Sequence, residues 1–164
     1  MRALICDDYS GIDSLRMGEL PDPEPEPGSI LVRVESVAIN FADTLMVKGE
    51  YQVKPDPPFA PGYELAGTVL ETNDATGVAP GDRVCGFTWY GALAERCVIR
   101  ADNAALLPDS LDSDIAAALP GGYGTSYHAL VDRGNLQPGE TLLVLGASGG
   151  VGMAAVQIGN VLGA

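Results

Sequence analysis

Residues 142–163 constrain this chain more than any other stretch. They open with an apolar run, Leu142-Leu143-Val144-Leu145, and break at Gly146. They continue Ala147-Ser148-Gly149-Gly150-Val151-Gly152 and then run from Met153 to Leu162 without proline, apolar residues all round. A buried strand, a glycine turn and a helix explain that order most simply. Gly149 and Gly152 have the spacing of the last two glycines of the fingerprint G-x-G-x-x-G, and Ala147 stands where the first would be. Such glycines serve a tight turn, close approach of backbone to a pyrophosphate, and close packing of helix on strand. The helix start then offers unpaired N–H groups and the positive end of its dipole to a bound anion. The competing reading is a glycine-rich turn in an ordinary αβ unit.

The rest of the chain is written differently. Residues 1–6 read as a first strand. Leu20 to Gly28 alternates proline with acids and suits neither helix interior nor central strand, so an extended surface loop is expected. Ile30 to Asn40 sets Val32 and Val34 against Arg33 and Glu35, the pattern of a half-buried strand. Phe41 to Lys48 suits a short helix ended by Gly49. Tyr51 to Pro61 is a proline-rich loop. Glu64 to Glu71 reads as a strand with Gly67 at a bulge or close contact. Arg83 to Phe87 and Gly91 to Arg100 read as further strands. Short strands separated by turn signals predict a compact, barrel-like β domain.

After residue 110 the pattern turns helical. Asp112 or Ser113 is placed to cap a helix to about Leu119, which Pro120-Gly121-Gly122 should interrupt. Thr125 is placed to cap a second helix through Val131. Pro138-Gly139-Glu140 then repeats the turn device of Pro80-Gly81-Asp82 ahead of the strand at 141.

Charge and cysteine content narrow the function. The net charge of −13 argues against nucleic acid and acidic membranes as partners. No apolar run reaches the length of a membrane span. Cys6, Cys85 and Cys97 are far apart, and His128 is the single histidine, so a Cys/His metal cage is not expected. Free thiols in a reducing cytoplasm fit this usage best. No basic residue lies between Gly139 and Ala164, where a dinucleotide phosphate would need compensation.

Five blocks in order carry a resemblance. They are Asn40-Phe41-Ala42-Asp43-Thr44, Pro61-Gly62-Tyr63-Glu64-Leu65-Ala66-Gly67, Gly81-Asp82-Arg83-Val84, Gly124 to Leu130, and Gly139-Glu140 with the glycine turn and Gln157. Together they resemble the zinc-independent NADPH:quinone oxidoreductases, the zeta-crystallin-like branch of the medium-chain dehydrogenase/reductase superfamily. The resemblance implies a β-rich GroES-like domain, a partly open barrel with short helices, over residues 1–124. It implies the first βα unit of a truncated Rossmann domain over residues 125–164. It further implies NADPH as cofactor, a quinone or enone as substrate, and a homodimer for the full-length form.

The same resemblance assigns roles. Gly149, Gly150, Val151 and Gly152, with Ala147 and Ser148, would hold the pyrophosphate through backbone N–H groups. Asn40 would hydrogen-bond near the nicotinamide or the substrate carbonyl; the alternative is a cap for the helix that follows. Thr125 would bond the nicotinamide carboxamide, or cap its own helix, or both. Tyr63 stands where zinc-dependent relatives place a histidine before the glutamate matched by Glu64. Tyr63 and Tyr51 are therefore expected to line the substrate pocket, and Tyr63 is a candidate proton donor. Asp43 is expected to fix a turn, His128 to be structural or surface, and Cys85 and Cys97 to pack. No metal is implied.

Departures from the pattern keep other readings open. Asn160 stands where many relatives carry Lys or Arg, and the acidic residue that selects NAD normally lies about 20 residues past the fingerprint, outside this sequence. The expected reaction is hydride transfer from NADPH to a conjugated carbonyl without a metal, the 164-residue piece alone being inactive. One alternative is an enoyl-thioester or enone reductase of the same superfamily. Another is a non-catalytic dinucleotide-binding or structural protein.

Overall fold

The computed structural model describes all of residues 1–164, and the chain divides into two compact units, Met1–Ala117 and Ala118–Ala164. The first unit is built on a five-stranded antiparallel sheet. Its strands are β3 (Ser29–Ala38), β4 (Glu64–Asn73), β5 (Arg83–Phe87), β6 (Arg96–Arg100) and β7 (Ala104–Leu106), in the spatial order β6-β3-β4-β5-β7. A separate hairpin pairs β1 (Arg2–Ile5) with β2 (Arg16–Glu19). Isolated bridges Ala3–Ala94 and Cys6–Phe59 tie β1 to the loops that flank the larger sheet.

The alternation expected in β3 is present: Ile30 and Val32 are buried, and Arg33 and Glu35 are exposed. Ile30, Val32, Leu65, Val69, Val84, Cys97 and Ile99 form the main core from four neighbouring strands. Gly67 sits opposite Val34, and the register breaks between Val34 and Ser36. The extra residue of this bulge is therefore Glu35 on β3, not a residue of β4. Gly67 makes room for it: a Cβ there would lie 2.1 Å from the Arg33 carbonyl oxygen.

The acidic proline segment 20–28 forms no strand or helix. It is held at its end by Asn73, whose carboxamide donates to the Pro25 carbonyl at 2.8 Å and whose carbonyl accepts from Gly28 N–H at 2.7 Å. Two strands escaped the sequence pattern. β2 reads Arg-Met-Gly-Glu with no residue buried, and β7 has three residues, so neither carries a period-2 signal.

Helix α1 covers Phe41–Met46 and α2 covers Ser113–Ala117. Asp112 serves the start of α2: its carboxylate accepts from Asp114 N–H at 2.8 Å, and its carbonyl accepts from Ala116 N–H at 2.9 Å. Arg83 fixes the preceding loop by donating to the carbonyls of Pro108, Asp109 and Leu111 and to Ser113 Oγ.

The second unit corrects three local expectations. Pro120-Gly121-Gly122 does not interrupt the chain's helical course. Residues Leu119–Gly124 form a wide π-type turn, α3 (Thr125–Tyr127) continues it, and His128–Arg133 widens again. Pro120 lies in the first turn, where its missing N–H breaks no helical bond. Thr125 consequently sits inside helical backbone (φ −61°, ψ −47°) and is not an N-cap. Finally, residues 141–145 form no strand, because no other strand of the unit lies alongside to pair their N–H and C=O groups. Helix α4 runs over Gly150–Leu162, starting at the glycine turn and ending at Gly163 in left-handed conformation. Several apolar residues of this unit stay uncovered: Leu143 and Leu145 are 81% and 87% exposed.

Candidate active site

In the first unit the chemistry gathers where β3 ends and β4 begins. Asn40 leaves β3 and is the N-cap residue of α1, with φ −122° and ψ 162°. It forms a reciprocal capping box with Asp43. The Asp43 carboxylate accepts from Asn40 N–H at 2.8 Å. The Asn40 carboxamide nitrogen donates to Glu64 Oε1 at 2.5 Å and to the Ala38 carbonyl at 3.3 Å. The cap geometry proposed for Asn40 is thus realised. Asp43 does the turn-fixing work expected of it.

Two carboxylates are buried here, Glu64 at 2% and Asp43 at 5% exposure. Burial drives the Asp43 pKa up, opposed by the backbone N–H groups of Asn40 and Gly62. Asp43 Oδ1 is the one buried side-chain oxygen of the chain with no hydrogen-bond partner. Beside them Tyr63 is half-buried, and its phenol is pushed up to about 12, by burial first and then by the charges of Glu64, Asp43 and Tyr51. It therefore stays protonated across the physiological range. Tyr51 is also half-buried and packs on the cluster of Cys6, Met46, Val47 and Phe59. Glu64 was noted in the sequence only as a matched position. Its signal is a charged residue directly ahead of the apolar run Leu65-Ala66-Gly67, which a buried partner has to justify.

In the second unit the glycine turn is compact. Gly146 has φ +72°, and its carbonyl accepts from Gly149 N–H at 3.1 Å. Gly152 packs directly on that carbonyl: a Cβ would lie 2.3 Å from the Gly146 oxygen and 2.9 Å from Ala147 Cα. Gly149 is the N-cap, and no side chain caps the helix. The first-turn N–H groups of Gly150, Val151 and Gly152 thus have no intrahelical acceptor. Gly149 and Gly150 are exposed, and no atom lies within 4 Å of where a Cβ on Gly150 would be. An uncapped first turn beside open space fits the phosphates of a dinucleotide. Ala147 is half-buried and Ser148 exposed, both within the turn.

Around it, Ser126 Oγ donates to the Val151 carbonyl at 2.8 Å, and the Tyr123 hydroxyl donates to Gln157 Oε1. These two bonds lash the π-type segment to α4, and neither was foreseen. Thr125 is exposed next to Ser126. His128 faces Asp132 across one helical turn at 2.9 Å on the surface. No three His, Cys, Asp or Glu side chains gather to hold a metal ion. No helix is long and apolar enough to cross a membrane.

The alcohol dehydrogenase GroES-like domain matches residues 26–127. Quinone oxidoreductase-like protein 2 of Mus musculus is 38% identical over 158 residues, which are 96% of this chain and 45% of the relative. The human synaptic vesicle membrane protein VAT-1 homolog is 37% identical over 161 residues, 96% of this chain and 41% of the relative. Among solved structures, a probable oxidoreductase from Mycobacterium abscessus superposes with TM-score 0.93 at 42% identity, covering 99% of this chain and 52% of the other. The quinone oxidoreductase from Thermus thermophilus, solved also in complex with NADPH, superposes with TM-score 0.84 at 38% identity, covering 99% and 51%. The chain spans about half the length of the relatives it matches. With its antiparallel sheet and its glycine turn, the chain belongs to the alcohol dehydrogenase GroES-like domain family, as a quinone oxidoreductase-like member of the medium-chain dehydrogenase/reductase superfamily.

Proposed function

We propose that the full-length protein is an oxidoreductase that passes a hydride from NADPH to a quinone or other conjugated carbonyl, without a metal. The observation that carries this reading is the uncapped first turn of α4. It is held open by the Gly146–Gly152 contact, in a chain similar to a quinone oxidoreductase that was solved with NADPH. The residues of the turn, Ala147 to Gly152, bind the pyrophosphate through backbone N–H groups, since no Lys or Arg lies nearby in sequence. NADPH, when bound, supplies the hydride.

The protein's share is placement and electrostatics. Asn40, Tyr51 and Tyr63 border the acceptor, and Thr125 borders the nicotinamide. The donor set supports metal-free chemistry, because Tyr63 precedes Glu64 where zinc-dependent relatives carry histidine. Three buried free thiols support a reducing, cytoplasmic setting. The full-length form is proposed to be a homodimer. The 164-residue chain alone is proposed to be inactive, because residues 141–145 pair with nothing that would carry the cofactor's far half.

The test is NADPH titration calorimetry on this chain and on a chain extended to the length of its relatives, followed by a quinone and enone screen. Binding and quinone turnover by the longer form alone are expected. Turnover restricted to an enoyl thioester would favour the reductase alternative. NADPH binding with no turnover of any acceptor would favour the non-catalytic one.

A further inference from the structure

The hydrogen bonds around Asn40 and Tyr63 divide the work of this site in a way the residue types alone do not suggest. A carboxamide has two donor hydrogens on nitrogen and an acceptor oxygen. Both donor directions of Asn40 are taken by the protein, one by Glu64 Oε1 at 2.5 Å and one by the Ala38 carbonyl at 3.3 Å. Its oxygen belongs to the capping box with Asp43. The bond to Glu64 is short and charge-assisted, and Glu64 is 2% exposed, so water does not compete for it. Asn40 therefore has no hydrogen to offer an acceptor unless it breaks its bond to a buried carboxylate.

Tyr63 is the opposite case. Its hydroxyl makes no hydrogen bond within the chain, nor does that of Tyr51, whereas Tyr9 donates to the Pro55 carbonyl and Tyr123 to Gln157. Its ring is half-buried, next in sequence to Glu64 and close enough to Asp43 and Tyr51 to feel their charges. The phenol keeps its proton, and a neutral donor beside two buried carboxylates can stabilise charge that develops on a neighbouring oxygen.

We propose that Tyr63 supplies the hydrogen bond to the acceptor carbonyl, and that Glu64 is a positioning residue that locks the Asn40 amide inward so that Asn40 offers the acceptor no hydrogen. This rests on the hydride-transfer reading above. In that reaction the hydride brings two electrons to the quinone, the electron pair collects on a carbonyl oxygen, and a proton from water completes the hydroquinone. Tyr63 shares its hydrogen with that oxygen and keeps it, so no other reactant is needed.

Two readouts test the assignment. The first uses this chain without cofactor: nitrogen-15 NMR of the Asn40 side-chain amide. Its two protons are expected to be distinct and slow to exchange, and to become ordinary in Glu64→Ala but not in Glu64→Gln, whose oxygen can still accept. An Asn40 amide that exchanges freely in the unmodified chain would overturn the positioning role. The second uses the extended chain: Tyr63→Phe should lower kcat for a quinone about 10- to 100-fold while NADPH affinity stays unchanged. Unchanged kcat in Tyr63→Phe would overturn the donor assignment while hydride transfer stands. Absence of turnover in the unmodified extended chain would instead remove both readings.

Discussion

Gly146 and Gly152 touch: the carbonyl oxygen of the first occupies the space a side chain on the second would need, 2.3 Å from an ideal Cβ. The turn and the helix it launches are therefore one packed object, and the fingerprint's last glycine is explained by sterics within the chain before any ligand is considered. Gly152→Ala must push the Gly146 carbonyl away. The expected cost is about 1–3 kcal/mol of stability in the second unit, with NADPH affinity reduced in the extended chain. Gly150→Ala, where space is open, should cost much less stability. Urea unfolding of the two variants, side by side, checks the contrast.

Asp43 has a raised pKa because it is buried with one oxygen unpartnered. A carboxyl that holds its proton more tightly when folded contributes stability below its unfolded pKa and loses it as pH rises through the raised folded value. Asp43→Asn removes that titration and keeps an oxygen for Asn40 N–H. Compared with the variant, the unmodified chain should lose relative stability as pH rises from the ordinary carboxylate range. Melting temperatures measured from pH 3 upward should diverge in that direction and then run parallel. A divergence of opposite sign would show that Asp43 is stabilised as its anion.

The thiols should be silent in the folded protein. Cys6, Cys85 and Cys97 are all buried, and burial raises each pKa, that of Cys97 to about 12. Because the thiolate is the reactive form, a disulfide reagent at pH 8 should titrate no thiol within minutes, and three in denaturant. Fast reaction of any one without denaturant would contradict its burial.

Hydrogen exchange should separate the strands of the main sheet from the leucine-rich segment 141–145. Amides of β3 and β4, paired along their length in the main sheet, should be among the slowest. Amides of residues 141–145 have no strand partner and should exchange far faster, despite a more apolar sequence. Exchange of the two at similar rates would mean that 141–145 finds a partner in solution.

Much of the first unit could be read along the chain because its signals are local. Alternation marked β3, prolines marked the loop 20–28, Gly67 marked a close contact, and the five blocks marked the family. β2 and β7 were not legible, since neither strand buries a patterned face; pairing alone defines them. The candidate residues Asn40, Tyr63 and the glycine turn were nameable from the sequence. The bond from Asn40 to Glu64 was not, because it depends on where the hydrogens of one amide point.

Taken by itself, the sequence determined the order of the chemistry-bearing blocks along the chain and the glycine turn that starts α4, both properties of neighbouring residues and their types. The tertiary structure alone decided three things. It brought Glu64 to Asn40 across 24 positions, it placed the bulge at Glu35 rather than at Gly67, and it left Leu142–Leu145 without a strand. Each is a matter of partners: a hydrogen bond, a register and a ladder exist only when a second segment arrives, and no local pattern states which segment that will be.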